Sequence, residues 1–367
     1  MNRKFILTIT ALLFCFFLTG CSESQQLHQK LIVQGMGIEK ENEDKYKVTI
    51  QALDFQNPAN EDEPNTKILE TQGKTVMEAL ENISKQTSLK PVYSQNLILI
   101  IGEKAAISGV NDFMDFFIRH CETRPKVKIC VSNTVSEILK IKPSDKSLKS
   151  KNIHDLIPLE LNSDILHFIS NLKNEKTDPI AAWVEMEEKN QLKEVHLKGV
   201  AIFKEDKLCN LLQDEEAFGI MLLKGVPNFG SYVINSDEFG EVTVSIEKTL
   251  PKITVQINKE NHPEFNVTLD VNATTFSIDK NFCSYPNEEI NKKIEENISE
   301  KVLKSCNEII KKTFKLGVDI FEFSKILKNS QPSYFKKIED DWKSIFPNLN
   351  FEIFTNVKLK VTGKEPV

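Results

Sequence analysis

Apolar residues dominate Phe5 to Leu18, with Arg3 and Lys4 before them and the polar run Ser22-Glu23-Ser24-Gln25-Gln26 after Cys21. The rest of the chain alternates shorter apolar patterns with polar turns. Leu31-Ile32-Val33 is an apolar run ending at Gly35 and Gly37, and Tyr46, Val48, Ile50 and Ala52 alternate with polar neighbours. Period two is the signature of a half-buried strand, so the two runs are predicted to pair as a hairpin across Glu39 to Lys45. Asn57 to Asn65 reads as a loop. Val76, Leu80 and Ile83 then give a helix with one apolar face, and Leu97 to Ile101 reads as a central strand covered on both sides. A helix is expected around Asp112 to Ile118, followed by a strand with Val127, Ile129 and Val131 on one face. Thr134 and Glu137 have capping-box spacing for a short helix. Ile141 to Lys151, rich in lysine and serine, is expected to be a linker or exposed loop. Ile153 to Pro179 is weakly helical, Trp183 to Met186 and Val195 to Phe203 return to strand, and Gly199 is expected to mark a bend.

The last third carries the clearest pattern. Val242, Val244 and Ile246, then Ile253, Val255 and Ile257, then Phe265, Val267, Leu269 and Val271 form three alternating runs, as in an antiparallel meander with one wet face. Ile290, Ile294, Ile298, Val302 and Cys306 recur every four residues, which predicts a long helix with Asn287 as its cap. Shorter helices follow around Phe321 to Leu327 and Tyr334 to Trp342. A final strand has Phe351, Ile353, Thr355, Val357, Leu359 and Val361 on one face. The expected fold is α+β, mixed α/β, in three domains: an N-terminal α/β domain at 31–133, a middle domain at 134–198, and a C-terminal antiparallel sheet packed by a long helix at 199–367.

Ahead of these, residues 1–20 have the charged start, apolar core and small residues of a secretory leader, and 21–30 form a tether. A core of about 14 residues is short for a transmembrane helix. Leu18-Thr19-Gly20-Cys21 adds what an ordinary leader does not need: a cysteine whose thiol accepts a diacylglycerol. Cys21 is thus the expected lipid-attachment residue, and two acyl chains make a stable anchor where one would be marginal.

Losing Arg3 and Lys4 with residues 1–20 takes the formal charge from −6 to −8. The lysines are spread among acids, so no basic field suited to nucleic acid exists and no nucleic-acid partner is expected. Cys121, Cys130, Cys209, Cys283 and Cys306 are odd in number and show no Cys-x-x-Cys spacing, which disfavours a disulfide framework or a zinc site.

Candidate chemistry is sparse. Gly73-Lys74-Thr75 resembles the end of a phosphate loop, but Ile68 stands where its first glycine should be, so it reads as a helix start. No Gly-x-Ser-x-Gly or His-Glu-x-x-His motif occurs. His120 beside Cys121 lacks a partner ligand at a suitable spacing. Glu185, Glu187 and Glu188, and Glu339-Asp340-Asp341, read as solvated acidic faces, and Trp342 and Phe346 as packing on the sheet. No catalytic residue, metal ligand or cofactor is expected.

Several stretches form ordered blocks: Gly35 to Lys40 with Tyr46 to Gln51, Gly73-Lys74-Thr75 with Glu78-Ala79-Leu80, Asn96 to Gly102, and Asp115 to Arg119 with Arg124. Further on come Gly199 to Lys204 with Leu208 and Leu212, Val318 to Phe323, Asp341-Trp342 and Phe346-Pro347. In order and spacing these blocks are similar to the Ger(x)C family, the lipoprotein C subunits of nutrient germinant receptors in spore-forming bacteria. The resemblance implies a non-enzymatic subunit, with three domains of mixed α/β character, held beside membrane A and B subunits on the outer face of the inner spore membrane through diacylglycerol on Cys21. Many relatives carry a Trp-Asp stretch after the lipid cysteine, of which Ser22 to Leu27 keeps only the leucine. A solute-binding lipoprotein of a transporter is the alternative, although that class usually has two Rossmann-like lobes.

Overall fold

The computed structural model describes residues 29–53, 66–87, 89–119, 124–141, 148–190, 192–237, 240–278 and 288–361. The leader, Cys21, the loop at Asn57 to Asn65, His120, Cys121, Cys283 and Asn287 lie outside them.

The first sheet begins with an antiparallel trio, β1 (Lys30–Asn42), β2 (Lys45–Leu53) and β3 (Thr66–Gly73). β4 (Lys90–Val92) and β5 (Ile98–Gly102) join β1 in parallel, then β6 (Lys128–Ser132) and β7 (Ile180–Lys189) extend the parallel run. β8 (Leu192–Lys204) and β9 (Lys207–Gln213) close it as antiparallel hairpins. The spatial order is β3-β2-β1-β5-β6-β7-β8-β9, with β4 beside the start of β1. This one sheet draws on all three expected segments: β6 pairs with β7 across 133/134, and β8 runs through 198/199.

Helices cover both faces. α1 (Val76–Thr87), α2 (Glu103–Ser108) and α3 (Asn111–Arg119) bury their apolar residues against one side, and α4 (Val135–Lys140) and α5 (Lys149–Leu156) against the other. α6 (Ile165–Leu172) returns to the first side. β5 shows why both layers form: Leu99 and Ile101 face one core, Ile98 and Ile100 the other, and all four are fully buried.

Several local expectations change. β1 does not stop at Gly35 and Gly37 but runs through them, because α4 and α5 lie directly on those glycines. A Cβ at Gly35 would stand 2.9 Å from the Ser150 side chain, and one at Gly37 would meet Val135. The turn shrinks accordingly, from Glu39–Lys45 to the residues between Asn42 and Lys45. Within the expected linker, residues 142–147 lie outside the described set, while α5 starts at Lys149 and buries Lys149 and Ser150. Thr134 precedes α4 as expected, yet its side chain makes no capping bond. Gly199 sits inside β8 beside a register shift, since a Cβ there would stand 1.9 Å from the Leu212 carbonyl of β9. It permits close strand approach within a continuous strand.

Gly73-Lys74-Thr75 is a helix start. Glu78 N–H donates to Thr75 Oγ1 at 3.1 Å, and Lys74 N–H donates to the Glu78 carboxylate at 2.6 Å, a reciprocal cap closely related to the capping box. Thr75→Ala is expected to lower stability by about 1 kcal/mol, read as an earlier urea midpoint with unchanged slope.

The second unit opens with α7 (Asp214–Lys224). Its sheet runs β10 (Ser231–Ser236), β11 (Gly240–Ile257), β12 (Pro263–Ile278) and, after α8 (Glu288–Leu316), β13 (Asn350–Val361). Two of the three expected meander runs are one strand. In β11 the buried face holds Val242, Val244 and Ile246; a register shift between Ile246 and Lys248 then moves the inner side to odd positions, including Ile253, Val255 and Ile257. Pro251 lies where β10 no longer pairs with β11, so its missing N–H leaves no gap in that ladder. The expectation of a wholly antiparallel sheet is corrected at its last pair: β13 runs parallel to β12. A parallel neighbour needs a crossover, which α8 provides, followed by α9 (Phe323–Ser330), α10 (Pro332–Ile338), α11 (Trp342–Ile345) and a 3-10 turn at Phe346–Asn348.

α8 presents Ile294, Ile298, Val302, Cys306, Ile309 and Ile310 to one core that is continuous with α4, α5, β7 and β8 of the first sheet. α7 crosses α8 closely at Gly219, where a Cβ would stand 2.6 Å from the Ser305 carbonyl. Gly219→Ala is expected to cost about 1–3 kcal/mol, seen as a lowered thermal midpoint.

Candidate functional site

Where the two units meet, four short stretches converge. They are Thr177-Asp178-Pro179 before β7, the turn between β8 and β9, the α8–α9 junction, and the α11 region. The junction is tied by carboxylates. Asp178 accepts N–H bonds from Glu205 at 3.1 Å and Asp319 at 2.9 Å, and its own N–H donates to the Asp319 carbonyl at 3.2 Å. Asp319, 2% exposed, accepts from the N–H groups of Phe323 and Ser324, both at 2.8 Å, and so caps α9. Ser324 Oγ donates to the Lys176 carbonyl, and Lys204 Nζ to the Leu316 carbonyl at 2.9 Å.

Burial sets the electrostatics. It pushes Asp178 above the usual carboxylate range against the two N–H bonds it accepts. It pushes Asp319 up to about 7, opposed by the Ser324 and Phe323 N–H bonds. On the other side of the α8–α9 junction, Lys224 donates from Nζ to the Ile320 carbonyl at 2.9 Å and lies 5.6 Å from the Phe321 ring centroid. Burial pulls Lys224 down to about 8, against the nearby carboxylates of Glu322 and Asp319.

Asp178, Asp319, Lys204 and Glu205 border a cleft of about 250 Å³. Trp342, Phe346, Pro347 and Leu316 form its apolar part, and Lys176, Lys315 and Lys343 stand with Glu175 and Glu205 among its charged residues. Trp342 is 2% exposed, rests between Phe335 and Phe346, and its Nε1–H has no partner among the described residues. Both junction carboxylates bind backbone N–H groups. That arrangement fixes loops, whereas a general acid or base needs an oxygen free for substrate.

The acids considered from sequence lie elsewhere. Glu185 bridges Trp183 Nε1 at 2.7 Å and Gln213 Nε2 at 3.1 Å, and Glu187 pairs with Lys198 on the exposed end of the β7–β8 hairpin. Glu339-Asp340-Asp341 joins α10 to α11 near the surface. Trp342 and Phe346 pack in the core, as expected. Cys130 and Cys306 are buried and Cys209 is exposed, all three as free thiols. Among the described residues no group of three or more His, Cys, Asp or Glu side chains could hold a metal, and no helix is long and apolar enough to cross a membrane. Sequence reasoning gave no role to Asp178, Asp319 or Lys224. One signal was available for Asp319: it is a lone acid in Val318-Asp319-Ile320-Phe321, four residues before the start of α9.

Comparison with known proteins gives this junction a family context. Residues 23–186 match the spore germination protein N-terminal domain, and residues 198–363 match the spore germination B3/GerAC-like C-terminal domain. The chain belongs to the Ger(x)C family. Among Ger(x)C relatives, spore germination protein KC of Bacillus subtilis (strain 168) is 23% identical over 403 residues, covering 99% of this chain and 97% of that protein. Spore germination protein GerQC of Bacillus cereus is 23% identical, covering 97% and 98%. The crystal structure of the GerBC protein shares the fold with a TM-score of 0.56 at 18% identity, covering 89% of this chain and 96% of that one. The C-terminal Ger(x)C-like blocks, separate in sequence, meet in the cleft: Lys204 ends one, Asp319 lies in the next, and Trp342, Phe346 and Pro347 come from the last.

Proposed function

We propose that this spore germination protein is the lipoprotein C subunit of a nutrient germinant receptor, held by diacylglycerol on Cys21 at the outer face of the inner spore membrane. It acts through contacts with the membrane A and B subunits and performs no catalysis. What carries the reading is the family match along nearly the whole length, joined to Leu18-Thr19-Gly20-Cys21 at the end of an apolar leader. The junction supports it, since its buried acids hold two units together. The solute-binding alternative is not favoured, because the second sheet is built from hairpins and one crossover.

Deleting the gene tests the proposal. Spores are expected to form normally and to lose germination with particular nutrients, while germination by agents that bypass receptors persists. An unchanged response across a broad nutrient panel would overturn it.

A further inference from the structure

β1, β4, β5 and β6 are mutually parallel, so their amino-terminal ends point the same way: Lys30 is level with Lys90, Ile98 and Lys128 are level with Gly35, and the residues before Lys128 run back toward the level of Lys30. The lipid attachment proposed above keeps this end close to the membrane. Lys30 is the ninth residue after Cys21, which lets the chain reach at most about 30 Å from the acyl chains. β6 is two strand spacings from β1, about 10 Å.

At this end the segment Ser163–Leu166 runs beside Pro125–Ile129. Ile129 N–H donates to the Ser163 carbonyl, Ile165 N–H to Val127 and Leu166 N–H to Pro125. Lys128 Nζ reaches the Pro158 carbonyl, which draws in the turn at Leu159. Leu159 is 69% exposed and Leu166 53%, and Leu159 is the most exposed large apolar side chain among the described residues. Exposed single leucines are ordinary; here two flank one strand start, with exposed Lys90, Arg124 and Lys126 at the same end. Arg124 is held there by a bond to Gln95 Oε1 at 3.0 Å. Glu160 is the exposed acid beside Leu159.

We propose that this end of the first sheet is a membrane-contact surface, with Leu159 and Leu166 entering the headgroup boundary of an anionic bilayer and Lys90, Arg124 and Lys126 facing its phosphates. Apolar side chains framed by basic ones are the composition of interfacial contact. The contact would orient the protein, which attachment at Cys21 alone would not do. It rests on Cys21 lipidation for its geometry but not for its chemistry, which permits separate tests.

The full chain with Cys21→Ala, which has no lipid, is mixed with vesicles of phosphatidylglycerol and phosphatidylcholine and with vesicles of phosphatidylcholine alone. Binding to the anionic vesicles is expected, weakened by salt, and reduced about fivefold for each of Lys90→Gln, Arg124→Gln and Lys126→Gln. Equal partition of this chain and of one also carrying Leu159→Ser and Leu166→Ser would overturn the proposal. In the lipidated protein on vesicles, an environment-sensitive dye at Leu159→Cys should report an apolar setting and quenching by lipid-borne quenchers. The same dye at Leu192→Cys, 60% exposed at the far end of β8, should not. Matching signals at the two positions would also overturn it. A lipidated protein that stays on vesicles while showing matching signals would refute the contact surface and leave the anchor standing.

Discussion

Cys21→Ala is expected to move the protein from the salt-washed membrane fraction, where the electrostatically assisted surface contact is released, to the soluble fraction and to abolish its contribution to nutrient germination. The expected effect is large because no helix among the described residues is long and apolar enough to cross a bilayer. In the proposed arrangement the anchor is the acyl chains on Cys21. At about 0.8 kcal/mol per buried methylene, one chain holds marginally and two hold stably. Without the thiol neither is attached, and the leader core of about 14 residues is short for a span. Membrane and soluble fractions of spores, probed for the protein, give the measurement. Full retention of the alanine variant in the salt-washed membrane fraction would sink the lipid anchor. Retention without germination would instead place an essential role on the modified amino terminus itself.

The patterns that could be read from sequence are those in which one physical requirement dominates. β5 needs apolar residues on both faces, and Leu97 to Ile101 has them; α8 needs a single stripe, and Ile294, Ile298, Val302 and Cys306 supply it. Expectations failed where a second requirement intervened. Gly35 and Gly37 look like a strand end, but they serve the approach of α4 and α5, a contact made by residues about 100 positions later. The bulge in β11 shifts the apolar parity from even to odd, so one strand reads as two. β13 alternates in the same way whether its neighbour runs parallel or antiparallel, and only the α8 crossover decides the direction.

At the candidate site the apolar residues follow a single requirement and the acids do not. Trp342 and Phe346 announce themselves as core aromatics. Asp178 and Asp319 are single acids whose meaning depends on each other, and they lie 141 positions apart. Neither makes a motif. Their role comes from saturating backbone N–H groups that would otherwise be buried without partners, a demand that appears only once the two units are packed.

Asp319 provides the second large expected effect. Asp319→Ala leaves the N–H groups of Phe323 and Ser324 without their acceptor in a buried setting and removes the cap of α9. At about 1–3 kcal/mol for each orphaned donor, the loss should be about 3–5 kcal/mol, a large share of a domain's margin. Loosening at the junction should appear as faster hydrogen exchange at α9 and at the Asp178 loop. Asp319→Asn separates the hydrogen bonding from the charge, because it keeps one acceptor and cannot ionise. The ordinary aspartate value is 3.8 and burial raises Asp319 to about 7. Below about pH 4 both states hold the proton and linkage contributes nothing. Between about 4 and 7 the unfolded chain releases its proton first, so rising pH draws the equilibrium toward unfolding. Above about 7 both states are ionised and the accumulated loss stays constant. Wild type should therefore lose stability across that window relative to Asp319→Asn, and the advantage of wild type over the variant should narrow as pH rises. Urea denaturation of both proteins at several pH values across the window measures this. A gap that widens with pH would mean that the N–H bonds outweigh burial and that the folded protein holds Asp319 as a carboxylate throughout.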